Sequence, residues 1–266
     1  MLIVGELINA TRKAIMEAIE AGDWSAIQKV AKDQAEAGAD YIDVNAGGFV
    51  GREPEILKQL VATVQEAAES PCCIDSSDPK ALETALSVHK GAAMINSISF
   101  EKSRYEEMLP LLAGTDLKIV ALCMSDEGMP QSCAERVGVA EKLINGLVRN
   151  GMPIGNIYVD LLVQPVSTRD SFGVEFLEAV HEIMTRFEGV HTICGLSNIS
   201  YGLPERKFVN RTFAAMAVAK GLDSLIVNPL DRRMMASLLA AEMLSGKDEY
   251  CKEYIRAYRA KKLEGV

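Results

Sequence analysis

The sequence predicts a single α/β domain, a (β/α)8 TIM barrel with a C-terminal extra helix. Three observations carry this. Eight short apolar runs alternate strictly with segments of helical period along 266 residues, with no linker or shift of composition between them. The runs end near residues 9, 45, 75, 96, 124, 160, 197 and 228, a spacing close to the ~30 residues of a strand-helix unit. Most of the runs also end the same way, in small polar residues that would converge on the C-terminal mouth of such a barrel. An open doubly wound sheet is the alternative, but Gly5-Glu6-Leu7-Ile8-Asn9 is not the glycine-rich phosphate loop expected after its first strand.

The elements follow in order. Leu2 to Gly5 is a first strand ending in Glu6-Leu7-Ile8-Asn9. Residues 11–21 and 24–37 have helical period, stopped at Gly38. Tyr41 to Val44 is the second strand, and a helix follows from about Glu53 to Glu69, broken by Ser70-Pro71. Cys72 to Asp75 is the third. Asp78-Pro79 opens the next helix, with Asp as N-cap and Pro at its first position. The fourth strand, Ala92 to Asn96, precedes a helix over about 104–112, and the fifth, Leu117 to Met124, precedes one over about 133–150. Ile157 to Leu162 and Thr192 to Leu196 are the sixth and seventh, with helices near 173–187 and 207–220. Ser224 to Val227 is the eighth, then helix over 231–245. Residues 1–246 are thus the barrel, and 247–266 a charged helical extension packed on its outside.

Composition narrows the function. A net charge of −9, with no basic run longer than a pair, argues against nucleic acid and anionic membrane as partners. No signal peptide opens the chain and no apolar segment spans a bilayer, so a cytoplasmic protein is expected. Six cysteines sit mostly inside apolar runs, as reduced core thiols do. There is no CxxC or HExxH, and the only histidines are His89, His181 and His191; no zinc site is expected.

The mouth would collect Asn9, Asp43, Asn45, Asp75, Asn96, Asp160, Ser197 and Asn198. It lacks a lysine for Schiff-base chemistry, Lys118 lying at the wrong end of its strand, and it lacks an imidazole. Carboxylates that accept paired N–H bonds, with carboxamides that both donate and accept, suit a flat heterocycle rich in N–H groups, such as a pterin. A divalent cation held by Asp43, Asp75 and Asp160 is the competing reading.

Asp43-Val44-Asn45, Ile74-Asp75-Ser76, Met94-Ile95-Asn96-Ser97, Tyr158-Val159-Asp160 and Gly195-Leu196-Ser197-Asn198-Ile199-Ser200, with Arg206 and Asn210-Arg211-Thr212-Phe213 beyond, carry a resemblance. Together they make the sequence resemble the methyltetrahydrofolate–corrinoid protein methyltransferases of the pterin-binding barrel family, over nearly the whole chain. The pterin module of cobalamin-dependent methionine synthase is similar, and dihydropteroate synthase more distantly so. The resemblance implies tetrahydrofolate or 5-methyltetrahydrofolate as substrate, bound by Asp75, Asn96, Asp160, Gly195, Ser197, Asn198 and Arg206, with Glu6, Asn9, Asp43 and Asn45 as further pocket residues. Asn198 would sit beside N5, and Asp75 is a candidate source of the proton N5 needs. Relatives often carry Arg where Leu7 stands, which removes a charge contact there.

The resemblance also implies a homodimer, no bound metal, and a cobalamin-type corrinoid arriving on a separate protein. That partner is a corrinoid iron–sulfur protein or a demethylase corrinoid protein, and the direction of transfer stays open. This chain has no Asp-x-His-x-x-Gly corrinoid signature. Phe49, Met129 and Tyr201 are candidate exposed loop residues for docking it. A dihydropteroate synthase-like enzyme is the alternative; its Arg-x-His is absent from Ser224-Leu225-Ile226-Val227-Asn228-Pro229. A non-catalytic pterin-binding protein is the alternative of another class.

Overall fold

The computed structural model describes all 266 residues, Met1–Val266. Eight parallel strands form one sheet: β1 Leu2–Asn9, β2 Tyr41–Asn45, β3 Cys72–Asp75, β4 Met94–Phe100, β5 Lys118–Ser125, β6 Ile157–Asp160, β7 His191–Ile193 and β8 Ser224–Val227. Neighbours follow chain order from β1 to β7, and β8 pairs with β1. The barrel closes between β7 and β8 through a bridge from Gly195 to Ile226, with Ile226 N–H donating to Cys194 O at 3.0 Å. The helices ring it: α1 Lys13–Ala21, α2 Trp24–Glu36, α3 Glu53–Ala67, α4 Pro79–Leu86, α5 Lys102–Leu112, α6 Cys133–Arg149, α7 Phe172–Arg186, α8 Arg206–Lys220, α9 Arg232–Leu244 and α10 Lys252–Arg259.

Strand periodicity sorts the side chains. Val4, Tyr41, Cys73, Met94, Val120, Tyr158 and Ile193 form one buried cluster inside the barrel. A second cluster, of 59 residues, fills the space between strands and helices. Side chains two positions apart share a face. The residues two on from that inner floor are Glu6, Asp43, Asp75, Asn96, Leu122, Asp160 and Gly195. The polar belt is therefore the next interior layer above an apolar one. Below the floor, Lys118 Nζ donates to Tyr158 Oη at 3.1 Å and stands over the Tyr41 and Tyr158 rings.

Three boundaries differ from the sequence expectation. β4 runs past Asn96 to Phe100, through a register shift between Asn96 and Ile98 and a cis Asn96–Ser97 peptide. β6 stops at Asp160, because Leu162 turns left-handed at φ 59°. β7 stops at Ile193, and Leu196–Ser200 is a 3₁₀ turn, so Ser197 and Asn198 project from a turn and not a strand tip. In β1, a bulge between Gly5 and Ile8 frees the Leu7 N–H from the ladder. The buried Gln34 of α2 accepts it at 3.0 Å. A Cβ on Gly5 would lie 2.5 Å from Gln34 Oε1 and would displace the acceptor of the Leu7 N–H.

Candidate functional site

Lateral register brings Asn9, Asn45, Asp75 and Asn96 side by side on β1 to β4. Asn45 Nδ2 donates to Asp75 Oδ2 at 2.9 Å, while Asn45 Oδ1 accepts Gly47 N–H at 3.0 Å. Asn9 is spent locally, its Oδ1 accepting from Thr11 N and Oγ1 at 2.9 and 2.7 Å. Glu6 pairs with Arg12 at 2.8 Å. Burial still lifts the Glu6 carboxyl above its ordinary range, against the pull of Arg12.

Burial also lifts the other acids. Asp43 lies deepest and holds its proton well above the usual carboxylate range, first through burial and then through the charge of Asp75; Cys73 and Asn96 approach it and oppose the shift. Its Oδ1 has no partner. Asp75 rises for the same first reason, with Asn45 and Arg104 opposing. Asp160, on β6, is pushed up to about 6 by burial, although Leu162 N–H donates to its Oδ1 at 2.8 Å. No three His, Cys, Asp or Glu side chains converge as a metal-ligand set, so Asp43, Asp75 and Asp160 do not form the cation cage of the competing reading.

The opposite wall is the 3₁₀ turn after β7. Ser197 and Asn198 are exposed, and the Asn198 carboxamide makes no hydrogen bond within the protein. The resemblance places Arg206 at the ligand. Here its Nη2 donates to Ser197 O at 2.6 Å and its Nε to Ser200 Oγ at 3.0 Å, so it fastens the turn that presents Asn198. Asp160 neighbours this wall, in register with Ile193. Asp75 faces it from β3, four strands away around the barrel.

Phe49 corrects an expectation. It is 8% exposed and belongs to the main core. Its N–H donates to Ala46 O at 2.9 Å and closes a turn that lies against β1's loop, where a Cβ on Gly48 would meet Ala10 O at 3.2 Å. The rim residues that do stand out are Val50, Met129 and Tyr201, at 93%, 53% and 66% exposure.

Two arginines escaped sequence reasoning. Arg136 of α6 is fully buried and donates from Nε to Leu161 O at 2.9 Å, holding the chain just beyond Asp160. Arg104 of α5 donates to Ser76 O at 2.9 Å, to Ser97 O at 2.6 Å and to Ser77 O. It ties the segment after Asp75 to the residue after Asn96. Arg104→Ala leaves three carbonyls without their charged donor and is expected to cost about 2–3 kcal/mol in urea unfolding. Arg104→Lys should recover little, because an ammonium cannot span the fork. A loss under about 0.5 kcal/mol for the alanine variant would assign Arg104 to surface solvation.

A closed parallel barrel with acids and carboxamides gathered above a dry floor defines a (β/α)8 barrel built to hold a small polar ligand at its C-terminal mouth. The chain belongs to the pterin-binding enzyme family, whose profile matches residues 5–228. It is similar to a methylcorrinoid:tetrahydrofolate methyltransferase of Eubacterium limosum, 34% identical over 268 residues that span 100% of this chain and 99% of that one. It is 33% identical to methionine synthase of Mycobacterium tuberculosis over 244 residues, 86% of this chain and 20% of that protein. Dihydropteroate synthase of Coxiella burnetii, solved with pteroic acid, has a TM-score of 0.72 at 13% identity, covering 92% of this chain and 93% of that one. At that identity the likeness is one of fold.

Proposed function

We propose that the protein is a methyltransferase that moves a methyl group between N5 of 5-methyltetrahydrofolate and the cobalt of a corrinoid carried by a separate protein. The observation that carries this is full-length similarity to a methylcorrinoid:tetrahydrofolate methyltransferase. The belt supports it: acids and carboxamides, without lysine or imidazole, suit a pterin edge. Asp75, Asn96 and Asp160 bind the ring, Asn45 orients Asp75, and Gly195 and Ser197 line the wall beside N5. Glu6, Asn9 and Asp43 complete the surroundings. Asp43 and Asp75 act as a proton reserve across the mouth, reached from N5 through water.

The corrinoid supplies cobalt as methyl acceptor or donor. This chain contributes the grip on the pterin and the hydrogen bond at N5. The corrinoid protein, of the iron–sulfur or demethylase kind, docks on the rim over Val50, Met129 and Tyr201. Mixing the protein with 5-methyltetrahydrofolate and reduced cobalamin should give methylcobalamin absorbance. Folate binding without any methylcobalamin would leave only a pterin-binding protein.

The arrangement we propose is a pterin-binding barrel over residues 1–246 with a helical extension over 247–266, working in the cytoplasm. Arg232 Nη2 donates to Glu264 O at 2.7 Å, and Lys247 Nζ to Leu222 O at 3.1 Å, fastening both ends of the extension. No helix is long and apolar enough to cross a membrane. The protein works as a homodimer through α7 and α8. Between them an apolar cleft of about 330 Å³ is flanked by Val174, Phe208 and Met216, at 61%, 74% and 49% exposure. Phe208→Glu with Met216→Glu should halve the mass measured by light scattering while circular dichroism stays unchanged. A wild-type protein that is already monomeric would remove the dimer.

A further inference from the structure

Arg136 of α6 is the bulkiest of the fully buried side chains. A buried cation is costly unless an opposite charge meets it. None does here. The arginines that form ion pairs are Arg12, Arg186, Arg211 and Arg256. Glu175 of α7 is the first of the charges acting on Arg136, yet its Oε2 is taken by Cys133 N–H at 2.6 Å. The guanidinium meets carbonyls instead. Its Nε donates to Leu161 O at 2.9 Å and its Nη2 to Leu162 O at 3.4 Å, while Nη1 is buried with no partner.

Those two carbonyls belong to an unusual turn. Leu162 is held left-handed at φ 59°, a conformation that costs any residue with a Cβ. The turn swings Leu162 N–H back onto Asp160 Oδ1 at 2.8 Å. This is the one hydrogen bond that the protein gives the Asp160 carboxylate. It fixes one oxygen and the plane of the group, and leaves Oδ2 for a ligand inside the barrel. Arg136 itself never enters the barrel. It lies behind the sheet, on the α6 stripe of Val137, Ala140, Leu143 and Ile144.

We propose that Arg136 is a positioning residue for folate binding: by gripping Leu161 O and Leu162 O from behind the sheet, it holds the left-handed turn that aims Asp160 at the pterin edge. This rests on the pterin reading of the belt. The Leu162 N–H also favours the ionised carboxylate, against the burial that pushes Asp160 up to about 6. Losing the turn removes that opposition, and Asp160 then keeps its proton to higher pH. Other titratable groups face Asp160. Cys123 of β5 and Cys194 after β7 are thiols held far above their ordinary range, first by burial and then by Asp160, so they stay neutral. Glu6, Asp43 and Asp75 share the belt from β1 to β3, and they are common to wild type and variants.

The experiment is calorimetric binding of 5-methyltetrahydrofolate across pH, with circular dichroism to check the fold of each variant. In Arg136→Met the pH at which binding is half lost should rise by about one unit, the worth of one hydrogen bond to a charge. Affinity should fall roughly fivefold near pH 6 and much less at higher pH, where protonation no longer competes. Arg136→Lys keeps the buried charge but cannot span both carbonyls. It should shift the same way, and it carries the test if the methionine variant does not fold. Adding Leu162→Gly should return the midpoint toward that of the wild type, because glycine takes the left-handed turn unaided. An unmoved midpoint, or a loss of affinity equal at every pH, would leave Arg136 a core residue and overturn this inference alone. So would a wild-type midpoint in Arg136→Lys, since charge and not the fork would then be what matters. No folate binding by the wild type at any pH overturns the pterin reading and this inference with it.

Discussion

Asn198→Ala should slow methyl transfer by about 10²–10³-fold, or ~2.7–4 kcal/mol, the worth of one preorganised donor at a developing charge. Dissociation constants for 5-methyltetrahydrofolate should move by less than about threefold, because an interaction that strengthens only in the transition state lowers kcat and not ground-state binding. The reason lies in the leaving group. N5 is a tertiary amine, and it releases its methyl group only as it gains a proton or a strong hydrogen bond. A carboxamide is too weak an acid to give up its own proton, but it can follow N5 as that atom becomes charged. The structure has the features this needs. Asn198 is exposed and has no internal partner, and its turn is fixed by the two Arg206 hydrogen bonds at 2.6 and 3.0 Å. Single-turnover rates at saturating folate are the measurement. A decrease below tenfold with affinity intact would take Asn198 out of the chemistry and leave it as a loop residue.

The strands and the belt were legible in the sequence for one reason. Inside the barrel five strands read apolar at one position and polar two residues on: Val4 then Glu6, Tyr41 then Asp43, Cys73 then Asp75, Met94 then Asn96, Tyr158 then Asp160. That alternation is local, so sequence carries it. The turn at Leu196–Ser200 was hidden because Ile193-Cys194-Gly195-Leu196 reads as a continuous apolar strand. The ladder ends at Ile193, and β7 meets β8 beyond it through the isolated Gly195–Ile226 bridge. Phe49 looked like a loop aromatic, and its burial depends on contact with the loop after β1, which no local pattern encodes. Arg104 acts on carbonyls 7 to 28 residues away. Arg136 did leave a trace: it falls on the α6 face with Val137, Ala140, Leu143, Ile144 and Leu147. A lone cation on a core-facing stripe calls for a buried acceptor, and Leu161 O is that acceptor.

Asp160→Asn should trade binding for stability. A pterin edge donates N–H groups and needs Asp160 ionised, yet burial holds its pKa at about 6. Wild-type folate affinity should therefore weaken as pH falls through about 6, approaching tenfold per pH unit where this group alone titrates. The asparagine variant, with no charge to offer, should bind roughly 100-fold more weakly at neutral pH, since a bidentate charged contact is lost. Stability runs the other way. The folded pKa lies above the ordinary 3.8 of the unfolded chain. The wild-type contribution is therefore fully present below 3.8 and is lost as pH rises through about 6. Asn removes that loss while its Oδ1 can still accept the Leu162 N–H that Asp160 accepts at 2.8 Å. The ligand-free variant should be more stable at neutral pH by up to about 3 kcal/mol, the free energy of moving a carboxyl pKa from 3.8 to about 6. The advantage should vanish near pH 3.8, where the wild-type carboxyl is protonated in the folded chain. Urea unfolding of both proteins across that range is the check. A variant less stable than wild type at neutral pH would mean that Asp160 is held ionised by groups stronger than its burial, and the belt would then bind pterin without a pH step near 6.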